Sequence, residues 1–329
     1  MNIFQMIKAY GGMVLGKTDY WHPDMNVNRE LNPDVLGKYP VDMSAKAEYA
    51  GEFDAEGIPL VEMDGHLSYL PVTISQYALG NYDEYINKKQ PVNWERFLRS
   101  ADWLVTNLVE FKTAGWGWVN DHDKGIYNLK KPWLSALSQG QALSVLARAY
   151  QETQKDVYLE AGKKALGVFF RPSAEGGILA QWNGLDYYEE YPSETPSFVL
   201  NGFIFSLWGL WDFYLVSQSA EAKERYETGL LTLKECLAKY NISSLYWSRY
   251  DLYPFDVADI ASIFYHKLHI QQLKAMALLT RDSRFTHQAE SWETARRSSL
   301  RYWLATAYKV RHKLSIRKQS SYVPSVKKG

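Results

Sequence analysis

The feature that most constrains the fold of this chain is a recurrence of paired helical segments. From about Leu70 onwards, apolar residues recur at spacings of three and four, as in amphipathic helices. The predicted pairs are Pro71–Tyr82 with Trp94–Phe111, Pro132–Glu152 with Val157–Phe170, Pro196–Val216 with Glu221–Tyr240, and Ser262–Thr280 with Phe285–Tyr308. Prolines at 71, 132 and 196 stand where a helix should begin. A period of about 60–66 residues is too long for tetratricopeptide or HEAT repeats. It fits helical hairpins joined by long loops.

The connections within a pair are short, whereas those between pairs are long and rich in aromatic residues. The long ones are Lys112–Lys131, Arg171–Thr195 and Asn241–Ala261. In an array of antiparallel hairpins these three loops emerge at the same end, and long loops in compact domains usually carry function. We therefore expect an all-α dominated fold, an incomplete (α/α) toroid or barrel of about four helical hairpins, with a functional face built by the loops.

Three regions follow from this pattern. Residues 1–70 are turn-rich and predict an N-terminal arm, irregular with room for short strands. Residues 71–308 form the predicted α/α-barrel domain. Residues 309–329 predict a basic C-terminal tail with seven Lys or Arg and no acidic residue. Such a tail is either solvated or in contact with an anionic polymer or lipid.

Composition narrows the class of partner. Lys plus Arg and Asp plus Glu both total 37, so the net charge is near zero, which argues against nucleic acid. Aromatic residues make up 15% of the chain, which suits either stacking on sugar rings or filling a large helical core. The single cysteine, Cys236, cannot form an internal disulfide.

Targeting signals are weak in this sequence. The N-terminus does not resemble a signal peptide, which favours the cytoplasm, with association at a membrane face as the alternative. The apolar run Phe198–Val216 contains Asn201 and Asp212, so we expect a buried helix rather than a membrane span. A homodimer is compatible with the sequence.

Several polar and aromatic side chains are placed by this pattern on the loop face. In the first loop Trp116 offers a stacking surface; Gln139 and Gln141, near the start of the next helix, can bind sugar hydroxyls or pack locally. Arg249 suits a carboxylate, because guanidinium pairs with it bidentately. His266 and His269 share a helix face. They lack a third ligand, so no metal site is predicted.

Long segments of the chain resemble the C-terminal α/α domain of the D-glucuronyl C5-epimerase family. They are PWLSALSQGQALSVLARAY, EEYPSETPSFVLNGFIFSLWGLWDFY and YHKLHIQQL, in that order. The likeness runs from about Tyr39 to about Glu293 and is strongest over 132–275. Members of this family convert D-glucuronate to L-iduronate within heparosan and heparan-type chains. The resemblance therefore implies an anionic uronate-containing polysaccharide as partner. The short N-terminal arm leaves the identity of the polymer open.

The resemblance also implies site residues. The family's Glu-Tyr before a proline matches Glu190-Tyr191, and its Tyr-x-x-Arg resembles Tyr246 and Arg249. Its later tyrosine matches Tyr265, which His266 and His269 follow. Because the spacing from Tyr246 to Tyr265 is one residue longer than in the animal enzymes, Tyr250 is a weaker candidate for the Tyr246 role.

Epimerisation at C5 requires a base on one face of the sugar ring and an acid on the other. Glu190 and Tyr265 form the expected pair, with Tyr191 and Tyr246 assisting. The carboxylate beside C5 must be neutralised as the enediolate forms, which Arg249 with His266 or His269 could do. No cofactor is expected, since no redox step occurs and no Gly-rich nucleotide loop is present.

Three other functions remain open at this stage. Expulsion of the 4-O substituent from the same intermediate would make the chain a lyase. A glycoside hydrolase would use two carboxylates, Glu190 with Asp186 or Asp251. A non-catalytic carbohydrate-binding helical module is the third.

Overall fold

Four helices of equal length organise the structure. The computed structural model describes residues 20–63 and 65–319. The first helices of the predicted pairs are α1 Pro71–Lys88, α3 Ala136–Thr153, α5 Leu200–Ser217 and α7 Ile263–Thr280, and each has 18 residues. Each is followed by a residue in the left-handed conformation whose N–H closes the last turn; these residues are Lys89, Gln154, Gln218 and Arg281. One geometry therefore recurs at the end of all four helices.

The second helices complete the hairpins. They are α2 Pro91–Thr106, α4 Asp156–Ala165, α6 Ala220–Cys236 and α8 Ser283–Arg297. Each packs on its hairpin partner, while α1, α3, α5 and α7 contact one another in chain order. The first helices thus form a row backed by the second helices, and the central α3 and α5 are buried on nearly all sides. The mostly helical fold and its four hairpins are confirmed.

Two predicted helix starts are wrong by four residues. Helix α3 begins after Ser135 rather than at Pro132, and α5 begins after Val199 rather than at Pro196. In both places the proline belongs to the incoming loop, whereas Pro71 opens α1 as predicted. Among the described helices, none is long and apolar enough to cross a membrane.

The strands are short and lie outside the helical layers. They are β1 Glu52–Phe53, β2 Pro59–Met63, β3 His66–Ser68, β4 Val109–Phe111, β5 Gly115–Gly117, β6 Val119–Asn120, β7 Trp133–Leu134, β8 Leu179–Trp182, β9 Leu185–Tyr188, β10 Asn241–Ile242 and β11 Trp247–Ser248. Strands β1–β3 make a three-stranded antiparallel sheet in the N-terminal arm, where the sequence predicted room for short strands. The other strands form antiparallel pairs within or at the borders of the three long loops.

Helices α3 and α5 touch through glycine. A Cβ added at Gly140 would collide with the backbone of Ser206, and one added at Gly209 would collide with the backbone of Gly140. Only hydrogen fits at these two positions, so the helix backbones approach more closely than side chains allow elsewhere.

The C-terminal part of the chain departs from the prediction of one helix over Phe285–Tyr308. Helix α8 ends at Arg297, and after Ser298 a separate helix, α9, covers Ser299–Gln319. Lys309–Gln319, predicted to begin a tail, is the C-terminal half of α9; residues 320–329 of that tail lie outside the described residues, as do residues 1–19 of the arm.

Candidate active site

The three long loops meet at aromatic and acidic side chains. The Tyr127 ring, from the first loop, stacks on that of Tyr191, from the second, with ring centres 5.0 Å apart. The same ring makes an edge contact with Tyr253 of the third loop at 5.3 Å. The Tyr127 hydroxyl donates to Asp251 Oδ2 at 2.6 Å. The expected convergence of the loops is therefore present.

The adjacent glutamates that follow β9 have different environments. Glu189 is fully buried and accepts hydrogen bonds from the Ser197 N–H at 3.0 Å, the Ser197 hydroxyl at 2.5 Å and the Phe198 N–H at 3.0 Å. Phe198 has φ of 50°, which disfavours a residue with a side chain, so Glu189 holds this turn together. Glu189 is structural, and Glu190 alone faces the loops.

Glu190 is held at the start of α5. It is 4% exposed, and its Oε2 accepts from Asn201 Nδ2 at 3.2 Å. Burial raises its pKa to about 7, although hydrogen bonds from Tyr191, Asn201 and Gly202 and the positive charge of Lys124 oppose that rise. A carboxyl group of this pKa exists in both protonation states near neutral pH, as a group that takes and returns protons requires.

Three tyrosines surround Glu190. Tyr191, Tyr250 and Tyr265 keep intermediate exposure although protein atoms enclose them on most sides; we call the partly exposed group that they form with Glu190 the recess. The ring centres of Tyr250 and Tyr265 are 4.7 Å apart. Burial first, and then the charge of Glu190, raises the pKa of all three hydroxyls above the ordinary value, so they stay protonated at neutral pH.

Tyr246 does not join this cluster. It lies in the turn between β10 and β11, is 45% exposed, and its ring contacts the Arg301 guanidinium of α9 at 4.9 Å. Tyr250, four residues later, occupies the recess instead. Arg249 lies near Asp251, whose pKa burial raises well above its ordinary value even though the charge of Arg249 opposes the rise. The buried Arg249 Nε donates no hydrogen bond to any described residue.

His266 and His269 lie beneath the site, in the core. The Ser248 hydroxyl is 2.8 Å from His266 Nδ1 and 2.9 Å from His269 Nδ1, and the His266 ring stacks on Trp247 at 3.8 Å. Burial lowers the pKa of His269 to about 3 and that of His266 well below its ordinary value. Both are therefore uncharged at neutral pH and cannot supply positive charge to a carboxylate.

The two glutamines and Trp116 also stand apart from Glu190. Gln139 is fully buried, and its amide binds both the N–H and the carbonyl of Trp118, at 3.1 and 2.8 Å. Gln141 is buried and accepts from Gln76 Nε2 at 3.2 Å. The Trp116 ring is covered by Lys164 Nζ, 4.9 Å from its centre. Their binding roles stay predictions, which these contacts do not favour.

Sequence reasoning missed Lys124 and the role of Asn201. Lys124 Nζ lies 4.5 Å from the Tyr191 ring centre and feels the charge of Glu190, and it makes no ion pair within the described residues. Asn201 was visible as a polar residue in an apolar helix. Nothing in the sequence around Lys124 indicates its role, because Glu190 and Tyr191, which it approaches, lie about 65 residues later in the chain.

The fold and site are those of a helical-hairpin protein with a site suited to acid–base chemistry. The model for the family described as D-glucuronyl C5-epimerase C-terminus matches residues 110–294, more than half of the chain. The chain belongs to this family. No group of three or more His, Cys, Asp or Glu side chains that could hold a metal ion occurs in the described part of the chain.

Two relatives illustrate the range of the similarity. A D-glucuronyl C5-epimerase of Caenorhabditis elegans is 32% identical over 224 residues, which is 63% of this chain but 36% of the nematode protein. The chain thus matches about a third of that relative's length. An uncharacterized protein of Methanocaldococcus jannaschii is 29% identical over 239 residues, covering 68% of this chain and 76% of that protein.

Proposed function

We propose that the chain is a C5-epimerase that converts D-glucuronate to L-iduronate residues within an anionic, heparosan-like polysaccharide. The observation that carries this proposal is the meeting of Glu190 with Tyr191, Tyr250 and Tyr265 in one recess. Membership in the epimerase family supports the reaction class. We also infer that the four hairpins form an incomplete (α/α) toroid, because their first helices contact one another in chain order.

Glu190 is the base when the reaction starts with Glu190 ionised and Tyr265 protonated. The C5 proton is weakly acidic, so its removal needs a base that is ionised in a substantial fraction of molecules at working pH and is more basic than an ordinary carboxylate. With a pKa raised by burial to about 7, Glu190 meets both conditions.

Tyr265 is the acid that delivers a proton to the opposite ring face. Its hydroxyl stays protonated because burial and the charge of Glu190 raise its pKa. After turnover Glu190 holds the proton and Tyr265 is a phenolate. Tyr191 interacts with both Glu190 and Tyr250, and Tyr250 interacts with Tyr265, so these two hydroxyls can carry the proton back.

Lys124 and Arg249 neutralise the substrate carboxylate. The enediolate intermediate places a second negative charge on this group, so a cation held in a water-poor site stabilises it strongly. Lys124 lies over Tyr191, and Arg249 lies near Asp251 with a free Nε. The uncharged His266 and His269 support the third loop from below and have no part in this step.

The proposal is tested by incubating the protein with heparosan in D₂O and following C5 by NMR. Deuterium at C5 with an intact chain is the expected result. Glu190→Gln and Tyr265→Phe should each lower the exchange rate by roughly 10²-fold or more, the range for loss of a general acid or base. Helical circular dichroism should be unchanged.

Three outcomes would contradict the proposal. An unsaturated product would make the chain a lyase, and new reducing ends without unsaturation a hydrolase. No change in any glucuronate polymer would remove the epimerase assignment. Normal exchange in either variant would overturn the assigned residue while leaving the reaction class standing.

A further inference from the structure

The C-terminal helix lies beyond the part of the chain that matches the epimerase family. The family match ends at residue 294, and α9 begins at Ser299. Nevertheless, side chains of α9 reach the third long loop beside Tyr250. The helix therefore places side chains from outside the matched region against the candidate site.

The contact centres on Asp259. Its buried carboxylate, 4% exposed, forms an ion pair with Lys309, and His312 Nε2 lies 3.3 Å from the same oxygen. His312 Nδ1 donates to the Val257 carbonyl at 2.7 Å, and the ring makes an edge contact with Phe255 at 5.1 Å. One turn of α9 thus holds the segment 255–259 through an ion pair, a hydrogen bond and a contact between rings.

That segment is tied to the tyrosine cluster. The Tyr250 N–H donates to the Asp259 carbonyl at 2.8 Å, and the Arg249–Ile260 pair continues the antiparallel bridge. Lys309 Nζ also lies 5.9 Å from the Tyr250 ring centre. If Asp259 is displaced, the backbone of Tyr250 is therefore displaced with it, and the orientation of the Tyr250 side chain changes.

We propose that Lys309 is a positioning residue, which acts through Asp259 to hold Tyr250 in the recess; its catalytic consequence rests on the proposed epimerase function. A buried carboxylate without its cation is strongly unfavourable, so loss of Lys309 makes Asp259 move toward water. Because Tyr250 is bonded to Asp259, it moves with it. Misplacement of a site group by about 1 Å can lower a rate by about 10²-fold.

The test compares Lys309→Met, Lys309→Arg and the control Arg311→Met. Arg311 is an exposed residue of the same helix, so its replacement removes the same charge without touching Asp259. Lys309→Met should lower kcat for C5 exchange by about tenfold or more with KM changed by less than about threefold, since positioning affects the chemical step. Lys309→Arg should recover most of the loss, and Arg311→Met should match the unmodified protein.

Amide hydrogen exchange provides a readout that does not depend on activity. In Lys309→Met the Tyr250 N–H should exchange about tenfold faster than in Arg311→Met, because its acceptor is on the released segment. If Lys309→Met does not fold, the double variant with Asp259→Asn removes both charges and restores folding. Because a neutral side chain at position 259 is not driven toward water, the Tyr250 N–H of this variant should be as protected as in Arg311→Met, and faster exchange there would overturn the role of the Lys309–Asp259 pair.

Equal protection of Tyr250 in Lys309→Met and in Arg311→Met would overturn the inference. So would a loss of kcat in Arg311→Met as large as in Lys309→Met. If the unmodified protein exchanges C5 in no uronate polymer, the proposed function fails, and amide protection alone then decides whether Lys309 positions Tyr250.

Discussion

Tyr250 and Tyr246 are four residues apart, yet only Tyr250 lies with Glu190, Tyr191 and Tyr265. Tyr250→Phe should lower C5 exchange by roughly 10–100-fold, because it removes the hydroxyl that interacts with both Tyr191 and Tyr265. Tyr246→Phe is the matched control and should stay within about threefold. The two rates are compared by NMR in D₂O. A larger loss in the Tyr246 variant would restore the assignment made by resemblance.

Glu190 is a source of instability at neutral pH as well as a base. Its pKa is about 7 in the folded state and near its ordinary value of 4.5 when unfolded. The stability contributed by its protonated form is present below about pH 4.5 and is lost as pH rises through 7. Glu190→Gln should therefore be more stable than the unmodified protein at pH 8, by about 1–3 kcal/mol, and equal to it at pH 4.5.

Chemical unfolding at the two pH values measures this difference. Asp83 and Glu189 have pKa values raised by burial to about 7 as well, so the unmodified protein should lose stability over the same pH range. Gly167→Ala, at a position with open space, provides the control. A stability gain in Glu190→Gln that is equal at both pH values would contradict the raised pKa.

At the residue scale, the sequence predicted the cluster through Glu190, Tyr191 and Tyr265, whose positions follow from the resemblance. It could not separate Tyr250 from Tyr246, because both precede the same helix and only the β10–β11 turn decides which one faces the recess. The predicted contact of His266 and His269 with a substrate carboxylate stays a prediction, which their burial does not favour. Helical spacing shows that two side chains share a face, but not whether that face is wet or buried.

The first turn of α5 leaves space for the carboxylate of Glu190. A Cβ at Gly202 would fall in hard contact with Glu190 Oε2 and Cβ. Gly202→Ala should therefore displace Glu190 and lower C5 exchange by about 10²-fold, as for a misplaced catalytic group. The helix itself tolerates alanine better than glycine. Circular dichroism and NMR exchange together check this result.

Gly167→Ala again serves as the control, since its new methyl group meets nothing closer than ordinary contact distance. It should exchange at the unmodified rate. Full activity in Gly202→Ala would mean that Glu190 has another position from which it can act.

The residue after each of α1, α3, α5 and α7 has a left-handed backbone conformation, and the strain that this costs can be measured at Gln154. An L-residue in this conformation is strained by about 1–2 kcal/mol, a cost that glycine avoids. Gln154→Gly should raise the free energy of unfolding by roughly 0.5–1 kcal/mol, the strain relief being reduced by glycine's entropy and the lost Nε2 bond to Gln151. Gln154→Val should lower it by a similar amount or more. Denaturant titration gives both values; the same sign for both would argue against strain.

At the element scale, apolar periodicity predicted the first eight helices because each buries at least one face. Its errors concern ends. Prolines 132 and 196 mark where the loop turns toward the helix, not where the helix begins. The apolar periodicity continues through Ser298, although the helical backbone ends at Arg297. The two-residue strands are too short to show any periodicity.

For the whole molecule, the contact of Gly140 with Gly209 sets the separation of the two central hairpins. Gly140→Ala forces a methyl group against the Ser206 backbone, so α3 and α5 must part. We expect a loss of about 1–3 kcal/mol in the free energy of unfolding, as in other overpacked cores. Because Glu190 precedes α5, C5 exchange should fall too. Denaturant unfolding and NMR measure the two effects; stability equal to that of Gly167→Ala would contradict the close contact.

Because the four first helices have equal length, their two ends form two separate faces of the molecule. One face carries the candidate site, and the other carries the tight turns, where an attachment is better tolerated. Eighteen residues at 1.5 Å each separate the recess from the tight turns by about 27 Å. Attachments at those turns are therefore too far from the recess to contact a ligand bound there. A protein tethered to a bead through residue 154 or 218 would present the face that carries Glu190 to the solution, which makes this end the natural site for immobilisation.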